Sequence, residues 1–545
     1  MKIAIAQLNY LIGDFEGNLK KIESYTQTAK AQGADLIIFG ELAICGYPPR
    51  DFLEFNDFIN RAEESIEKVI GFSDGIAIAI GSVSRNPVVE GKDLFNSMYF
   101  IADGEVLRVQ HKALLPTYDI FDEYRYFEPA QEFACVHYKG KVIALTVCED
   151  IWDAGLENPL YQFCPLDRVT HENPDFIINV SASPFNFSHA EARIDIVKAN
   201  VDKYKIPMFY ANHVGAQTEV IFDGGSLVVS PDGKVHREMP YFMEAMEIFD
   251  LDEVLESKKE SVQPKDDIAE IHDGIICGIS DYFGKLGFTK AILGLSGGID
   301  SAVTTVLAQR ALGKDNVRVL LMPSQFSSDH SVNDARDLAE NLGIQYDIIA
   351  IKDVYDAFMG KLDSHFEGLP FNVTEENIQA RVRGTLLMSF SNKFGNILLN
   401  TSNKSEMAVG YGTLYGDLAG GLSVLGDVYK TEVFALARYI NKDGIVIPEN
   451  SITKPPSAEL RPDQKDSDSL PDYEVLDKIL YEYIEKRKGP EEIVALGHDE
   501  TLVARILKMV NRNEFKRYQT APVLRVSTKA FGMGRRLPIV GKYLS

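Results

Sequence analysis

The stretch AILGLSGGIDS, residues 291–301, decides the fold of the second half of this 545-residue chain. It begins as a short apolar run, breaks at paired glycines and closes on Asp300 and Ser301, where the pattern predicts the start of a helix. Backbone N–H groups in such a turn, with the positive end of the following helix, can bind one anion. The turn lacks the Lys of a Walker A loop, so it is not built to grip β- and γ-phosphates for phosphoryl transfer. We therefore predict a phosphate cradle after a buried strand.

Other apolar runs on both sides of this loop predict strands of two separate sheets. After the loop, each run is followed by a polar stretch compatible with a helix, which is typical of a doubly wound parallel sheet of the Rossmann-like kind. These later runs are NVRVLLMP, QYDIIAI and GNILLNT, and the earlier ones are KIAIAQL, ADLIIFG, GIAIAIGSV, KVIALTVC, DFIINVS and PMFYANH. Between the two series the sequence becomes charged and loses its apolar periodicity. We expect domains at 1–250 and 268–545, joined by a linker at 251–267.

Composition excludes several classes of protein. The formal net charge of −24 and the isoelectric point near 4.9 disfavour nucleic acid as a partner, because binding a phosphate backbone needs a basic surface. The N-terminal residues lack a signal-peptide pattern, and no run of about eighteen apolar residues occurs, so we expect a cytoplasmic protein without a membrane partner. The five cysteines form no CxxC pair, which argues against structural zinc and disulfides.

Three residues in the first half stand where a predicted strand gives way to a loop, which is a common place for catalytic groups. Glu41 follows LIIFG, Lys112 follows EVLRVQH and Cys148 ends VIALTV. A Cys148 thiol held partly as thiolate beside a cation can attack an amide carbonyl. Glu41 can carry the proton and Lys112 can stabilise the oxyanion. By spacing alone, however, a cysteine that closes an apolar strand is more often a small core residue.

Local motifs around these three residues resemble the nitrilase, or carbon-nitrogen hydrolase, superfamily. The motifs are FGELAICGYPPRD (39–51), HKALLPTYDIFDE (111–123), LTVCEDIW (145–152) and NVSASPF (179–185). The resemblance implies an α-β-β-α sandwich with Glu41, Lys112 and Cys148 as the catalytic triad. It further implies that Tyr118 and Ser183 contact glutamine and that Glu123 is a second acid near Lys112. Glutaminase members often carry a Lys six residues after that Ser, whereas this chain has His189.

The second half resembles the NAD synthetases, and its glycine turn is similar to the SGGxDS loop of the ATP pyrophosphatases. The further motifs are ENIQARVRG (376–384), TSNKSEMAVGYGTLYGD (401–417), YKTEV (429–433) and PSAEL (456–460). The resemblance implies ATP contacts at Gly294, Leu295, Ser296, Gly297, Gly298, Ile299, Asp300, Ser301, Thr401 and Lys430. It implies Mg²⁺ on Asp300 and Glu406, and deamido-NAD contacts at Asn377, Glu406, Asp417 and Lys516.

Cationic side chains in these motifs have two interpretations. Arg381, Arg383, Lys404 and Lys430 can steady the triphosphate or the pyrophosphate leaving group. Alternatively, TSNKSE is only a helix N-cap with its capping Glu, and the cations form a solvated face. The occurrence of several motifs in the order that the family uses favours the first interpretation.

Taken together, the two resemblances imply an enzyme that takes ammonia from glutamine and uses ATP to amidate deamido-NAD, releasing AMP and diphosphate. They also imply a sheltered route for ammonia and a homo-oligomer. Asparagine synthetases begin with a catalytic Cys where this chain has Lys2, and GMP synthetases use another glutaminase fold. A tRNA-thiolating enzyme needs a second cysteine beside Cys277 and a basic face. Another amidotransferase with this loop, or an amidase with a nucleotide-sensing module, remains the alternative.

Overall fold

A computed structural model describes residues 1–154, 160–264, 266–462 and 464–544. The chain divides into two compact units, Met1–Lys265 and Asp266–Ser545. Each unit has its own sheets and its own buried core, so the two are considered separately.

In the first unit, strands outnumber helices among the described residues. The strands are β1 (Lys2–Gln7), β2 (Leu36–Ile38), β3 (Ala77–Arg85), β4 (Leu94–Ala102), β5 (Glu105–His111), β6 (Val136–Tyr138), β7 (Lys141–Val147), β8 (Phe176–Val180), β9 (Met208–Ala211), β10 (Val214–Gln217), β11 (Val220–Asp223), β12 (Leu227–Val229), β13 (Val235–Glu238) and β14 (Ala245–Asp250). The helices are α1 (Phe15–Ala31), α2 (Asn56–Ile70), α3 (His189–Tyr204) and α4 (Leu251–Glu256). Helix α4 lies inside the segment whose sequence pattern favoured a linker.

Within the described residues, these strands form two six-stranded sheets and one hairpin. The sheet orders are β14-β1-β2-β3-β4-β5 and β13-β12-β9-β8-β7-β6, and the hairpin is β10-β11. Alternation along each strand sends successive side chains to opposite faces. Ile3 and Ile5 therefore enter the core between the sheets, whereas Ala4 and Ala6 face the core that contains α1 and α2. A third core joins the other sheet to α3, which confirms the α-β-β-α sandwich.

The second unit is richer in helix. Its strands are β15 (Ala291–Gly294), β16 (Val317–Leu321), β17 (Gln345–Ile348), β18 (Ile397–Asn400) and β19 (Leu422–Ser423). Its helices are α5 (Asp267–Leu286), α6 (Ile299–Leu312), α7 (Asp329–Leu342), α8 (Lys352–Phe366), α9 (Val373–Phe394), α10 (Lys404–Val409), α11 (Lys430–Ile440), α12 (Glu449–Thr453), α13 (Tyr473–Ile484), α14 (Pro490–Ala495), α15 (Glu500–Arg512) and α16 (Glu514–Arg517).

The sheet of the second unit is parallel, with the order β17-β16-β15-β18-β19. The chain runs outward from β15 to β17 and then crosses to β18 on the other side of β15. This reversal confirms the doubly wound fold and puts the ends of β15 and β18 beside each other at its switch point, where such sheets bind ligands. Strands β15, β16 and β18 share a core with α8 and α9.

Among the described residues, none of the helices combines the length and the apolar character that crossing a membrane requires.

Candidate active sites

In the first unit, the ends of three strands bring Glu41, Lys112 and Cys148 into one buried cluster. Glu41 follows β2, Lys112 follows β5, and Cys148 follows β7 at the start of a 3₁₀ turn, Cys148–Ile151. All three side chains are at most a few per cent exposed. The Lys112 ammonium lies 2.8 Å from Glu41 Oε1 and 2.8 Å from Glu123 Oε1. The predicted second acid, Glu123, therefore shares the lysine with Glu41.

Cys148 sits in a strained turn that its neighbours fix in place. Its φ is +44°, an uncommon conformation for a residue with a side chain. Asn179 Nδ2 donates to the Cys148 carbonyl at 3.3 Å. The Asp150 carboxylate accepts the N–H groups of Val147, Ala113 and Leu114 at 2.9–3.0 Å. Asp150 thereby joins the turn of Cys148 to the segment that follows Lys112.

The electrostatics around Cys148 correct one expectation from the sequence. Burial, together with the negative charge of Glu41, raises the pKa of the Cys148 thiol well above its ordinary value, although Lys112 opposes the rise. Glu149 and Glu123 push the pKa in the same direction as Glu41. The expectation of a partly ionised thiolate is therefore wrong for the ligand-free site. Cys148 rests as a thiol, and its attack on a carbonyl requires transfer of its proton to a base.

The expected glutamine-binding residues fall into two groups beside Cys148. Ser183 follows β8, the parallel neighbour of β7, and its Oγ lies 2.8 Å from His189 Nε2. The His189 ring stacks on Trp152 with 4.8 Å between ring centroids. The Tyr118 hydroxyl donates to Glu149 Oε1 at 2.8 Å.

Glu149 is a candidate that the sequence interpretation missed. Its carboxylate is buried and accepts hydrogen bonds from Tyr118 and, at 2.9 Å, from Tyr161. Burial raises its pKa, against the effect of Lys112. A charged residue directly after a candidate nucleophile is a usable signal, but its sequence position alone did not reveal that two tyrosines face it.

In the second unit, the glycine turn has the predicted geometry at Gly297. Its φ is +81°, and a Cβ placed there would lie 2.2 Å from the Ser331 carbonyl oxygen. Only glycine fits this close approach. Gly294 ends β15, the Leu295 N–H donates to Leu320 at 3.0 Å, and Ile299 begins α6.

Serine hydroxyls occupy part of the hydrogen-bonding capacity of this turn. The Ser296 N–H donates to Ser301 Oγ and the Gly298 N–H to Ser296 Oγ, both at 3.2 Å. Because rotatable hydroxyls hold these N–H groups, the turn can release them to an anion without moving the backbone.

Asp300, Glu406 and Lys430 meet where β15 and β18 end. The Lys430 ammonium lies 2.5 Å from Asp300 Oδ2 and 3.5 Å from Glu406 Oε1. Asn403, which the sequence interpretation missed, donates to Asp300 Oδ1 at 2.8 Å. Burial raises the pKa of Glu406 to about 8, and the charge of Asp300 adds to the rise. Thr401 comes directly after β18.

The structure shows the helix cap that one interpretation of the TSNKSE motif predicts. Asn403 caps α10 by accepting the Glu406 N–H at 2.9 Å, and Glu406 returns a bond to the Asn403 N–H at 3.3 Å. The same Asn403 and Glu406 also contact the Asp300–Lys430 pair. The capping box therefore shares its residues with the cluster around Asp300 and Lys430.

The position of Lys404 differs from the expectation drawn from the sequence. Its side chain is fully buried, 2.9 Å from Asp427 Oδ1, paired with Glu485 and bonded to Ser527 Oγ at 2.7 Å. The prediction that Lys404 steadies a triphosphate is wrong in this conformation, because its charge is already used inside the fold. Asp427 and Glu485 are distant along the chain, so the motif alone did not reveal this role.

The residues expected to contact deamido-NAD converge on one loop, 410–417. Asn377 Oδ1 accepts the Thr413 hydroxyl at 2.7 Å, and Asp417 Oδ1 accepts the Thr413 N–H at 2.5 Å. Lys516 donates to the carbonyls of Gly410 and Gly412 at 2.7 and 2.9 Å. Of the expected contacts, Glu406 lies apart, with Asp300.

Two arginines expected to act as cations bind backbone carbonyls instead of carboxylates. Arg381 Nε donates to Leu414 at 3.3 Å and Arg383 Nε to Met322 at 3.0 Å. Burial lowers the pKa of Arg383 to about 10, although Asp417 and Glu459 oppose the shift. Neither Nε contact involves a carboxylate.

Within the residues that the structure describes, no group of three or more His, Cys, Asp or Glu side chains has the arrangement of a metal site. The chemistry of Asp300 and Glu406 nevertheless suits a hard cation. Their carboxylate oxygens are the ligands that Mg²⁺ prefers. Burial raises the pKa of Glu406, and the negative charge of Asp300 adds to the rise while Lys430 opposes it.

Known proteins resemble the whole chain. The NAD synthase family model matches residues 271–520 and the carbon-nitrogen hydrolase model matches residues 2–162. A glutamine-dependent NAD(+) synthetase of Synechocystis sp. is 43% identical over 98% of each chain, and one of Acinetobacter baylyi is 42% identical over 99% of this chain and 98% of the relative. The solved structure of an Acinetobacter baumannii glutamine-dependent NAD+ synthetase in complex with ADP is 38% identical, with a TM-score of 0.79 over 99% of this chain and 98% of that one. The chain therefore belongs to the family of glutamine-dependent NAD(+) synthetases.

Proposed function

We propose that this protein converts deamido-NAD, ATP and glutamine to NAD, AMP, diphosphate and glutamate. Family membership over the full length of the chain is the observation that carries the proposal. The two buried clusters supply chemistry for its two halves. An amidase with a non-catalytic nucleotide-sensing module is the less favoured alternative, because the second cluster retains paired carboxylates and a glycine turn.

In the first half-reaction, the Cys148 sulfur attacks the amide carbonyl of glutamine. Glu41 takes the thiol proton and returns a proton to the departing ammonia, while the Lys112 ammonium stabilises the oxyanion. Water then hydrolyses the thioester and releases glutamate. Because the resting thiol is protonated, Glu41 has to act before the carbon–sulfur bond is complete.

Glutamine itself is bound by the groups around this cluster. We assign its contacts to Tyr118, Ser183, His189 and Glu123. The geometry adds Glu149, whose carboxylate faces Tyr118 and Tyr161 and suits the ammonium group of an amino acid. Glutaminase members often carry a lysine, a fixed cation, at the position of His189. In this chain the His189 ring contacts Ser183 and stacks on Trp152.

In the second half-reaction, the nicotinate carboxylate of deamido-NAD attacks the α-phosphorus of ATP and forms an adenylate. The turn Gly294–Ser301, with Thr401 and Lys430, holds the ATP phosphates. Ammonia from the first site then displaces AMP from the adenylate and forms the amide. Asn377, Glu406, Asp417 and Lys516 bind the deamido-NAD.

Asp300 and Glu406 would hold Mg²⁺, which when bound neutralises charge on the departing diphosphate. Lys430 contacts both carboxylates.

We assign the glutaminase to residues 1–250, a linker to 251–267 and the synthetase to 268–545. The expected setting is a cytoplasmic homo-oligomer whose partners are small molecules.

A direct test incubates the protein with ATP, Mg²⁺, deamido-NAD and glutamine and identifies the adenine nucleotide that forms. We expect AMP in a one-to-one ratio with NAD. Formation of ADP would contradict adenylation, and glutamine hydrolysis without any ATP cleavage would favour the alternative.

A further inference from the structure

Two carboxylates compete for the role of base in the glutaminase cluster. Lys112 lies 2.8 Å from an oxygen of Glu41 and equally 2.8 Å from an oxygen of Glu123. Since the lysine contacts both to the same extent, it does not decide which carboxylate takes the Cys148 proton. Some other group has to distinguish the two.

Asn96 contacts both carboxylates and the lysine. It lies on β4 and is fully buried. Its Nδ2 donates to Glu41 Oε1 at 2.7 Å, whereas its distance to Glu123 Oε2 is 3.5 Å. The backbone carbonyl oxygen of Asn96 also accepts the backbone N–H of Lys112 at 2.7 Å. The donor of Asn96 therefore favours Glu41, and its backbone fixes the start of the segment that carries the lysine.

The other half of the Asn96 amide shows why an asparagine occupies this position. Its Oδ1 is buried and has no hydrogen-bond partner among the described residues. A buried carbonyl without a partner costs stability. The benefit of an asparagine at this position therefore comes from its side-chain N–H donors. The reversed orientation would point the carbonyl at two carboxylates, which fixes the assignment of nitrogen and oxygen.

We propose that Asn96 is a positioning residue that holds Glu41, and not Glu123, as the carboxylate that takes the Cys148 proton. The inference rests on the proposed glutaminase function. The Ala182 N–H supports the same choice by donating to Glu41 Oε2 at 3.0 Å. Glu123, in contrast, accepts from the Tyr47 hydroxyl at 2.8 Å. The titratable groups that face Glu41 from the surrounding elements are Tyr47, Lys112, Glu123, Cys148 and Glu149.

The test is the pH dependence of glutamine hydrolysis in the full-length Asn96→Leu variant, which keeps the size of the side chain and removes the donor. We expect kcat/KM at neutral pH to fall about tenfold or more, because a hydrogen bond to a charged group is lost. The acidic limb of the profile should move to higher pH by about one unit, so that the loss is smaller in alkaline solution. NAD formation from ammonium should be unchanged, since it needs only the second cluster.

Ser97→Ala is the matched control, because Ser97 is the next residue on β4 and bonds to Ser84 and His111 instead. It should leave the acidic limb in place. A uniform loss of rate in Asn96→Leu with an unmoved acidic limb, or no loss, would overturn the inference. Should the leucine variant not fold, Asn96→Asp keeps the shape and should move the acidic limb in the same direction. Absence of glutamine hydrolysis in the unsubstituted protein would instead refute the proposed function.

Discussion

Lys430 holds its ammonium 2.5 Å from Asp300, although the two residues lie on different helices and 130 positions apart along the chain. The contact joins the start of α11 to the start of α6, directly after the glycine turn. The Lys430 ammonium therefore lies where we propose that ATP loses diphosphate.

Replacing Lys430 with Met should lower AMP formation about 100-fold or more with glutamine or ammonium as donor, because the Asp300 and Glu406 carboxylates lose their buried cation. The measurement is AMP release under saturating ATP. Lys393→Met, which removes an exposed cation from the last turn of α9, is the control and should be near normal. Equal activity of both variants would remove Lys430 from the site.

Cys148→Ala should abolish glutamine-dependent NAD formation and leave ammonium-dependent formation, because the second cluster needs only free ammonia. Both rates are measured on the same preparation. Cys164→Ala, at a buried cysteine bonded to Tyr204, should retain both activities. Loss of both activities in Cys148→Ala would show that the sites are not separable.

Gly297→Ala should lower AMP formation about 100-fold or more, since a methyl group 2.2 Å from the Ser331 oxygen has to displace the turn. Gly313→Ala is the matched control, because Gly313 also has a positive φ, +83°, while nothing lies within 4 Å of the added carbon. The control should form AMP at a normal rate. Similar losses in both variants would assign the effect to strain and not to the cradle.

Glu123 should make the first unit less stable as the pH rises. Burial raises its pKa to about 7 from 4.5, although Lys112 opposes the rise, and the charge of Glu41 adds to it. The folded protein therefore binds the proton more tightly than the unfolded chain, and between these pH values the free energy of unfolding falls by at most about 3 kcal/mol. Glu123→Gln should reduce this slope.

Trp152 reports this change, because it is the one tryptophan in the sequence and lies in the first unit. Denaturant unfolding followed by its fluorescence at several pH values gives the slope. Glu105→Gln, at an exposed position on β5, should keep the original slope. An identical slope in Glu123→Gln would contradict a raised pKa for this carboxyl group.

Apolar periodicity made the buried strands predictable from the sequence. Runs such as KIAIAQ send alternate residues into two cores, so strands buried on both faces follow from the pattern. The sandwich of two sheets was instead implied by the family resemblance. The glycine turn also followed from sequence, because a positive φ at Gly297 needs glycine. Helix α4 did not follow, since LDEVLE is short and half of its residues are charged.

The parts of the sites that escaped prediction depend on contacts between distant segments. The sequence motif suggested that Lys404 is a phosphate ligand, but in the fold its ammonium is paired with Asp427 and Glu485. Asn96 belongs to no motif, and only the fold brings it to Glu41. The protonated state of Cys148 reflects burial and surrounding carboxylates, which local spacing does not encode.

The central claim is that nitrogen freed at Cys148 reaches a carboxylate activated beside Asp300. Incubation with glutamine labelled with ¹⁵N at its amide, together with ATP, Mg²⁺ and deamido-NAD, tests it most directly when NAD and the adenine nucleotides are analysed by mass spectrometry. We predict ¹⁵N in the NAD amide and one AMP for each NAD formed. Unlabelled NAD, or ADP in place of AMP, would contradict the account.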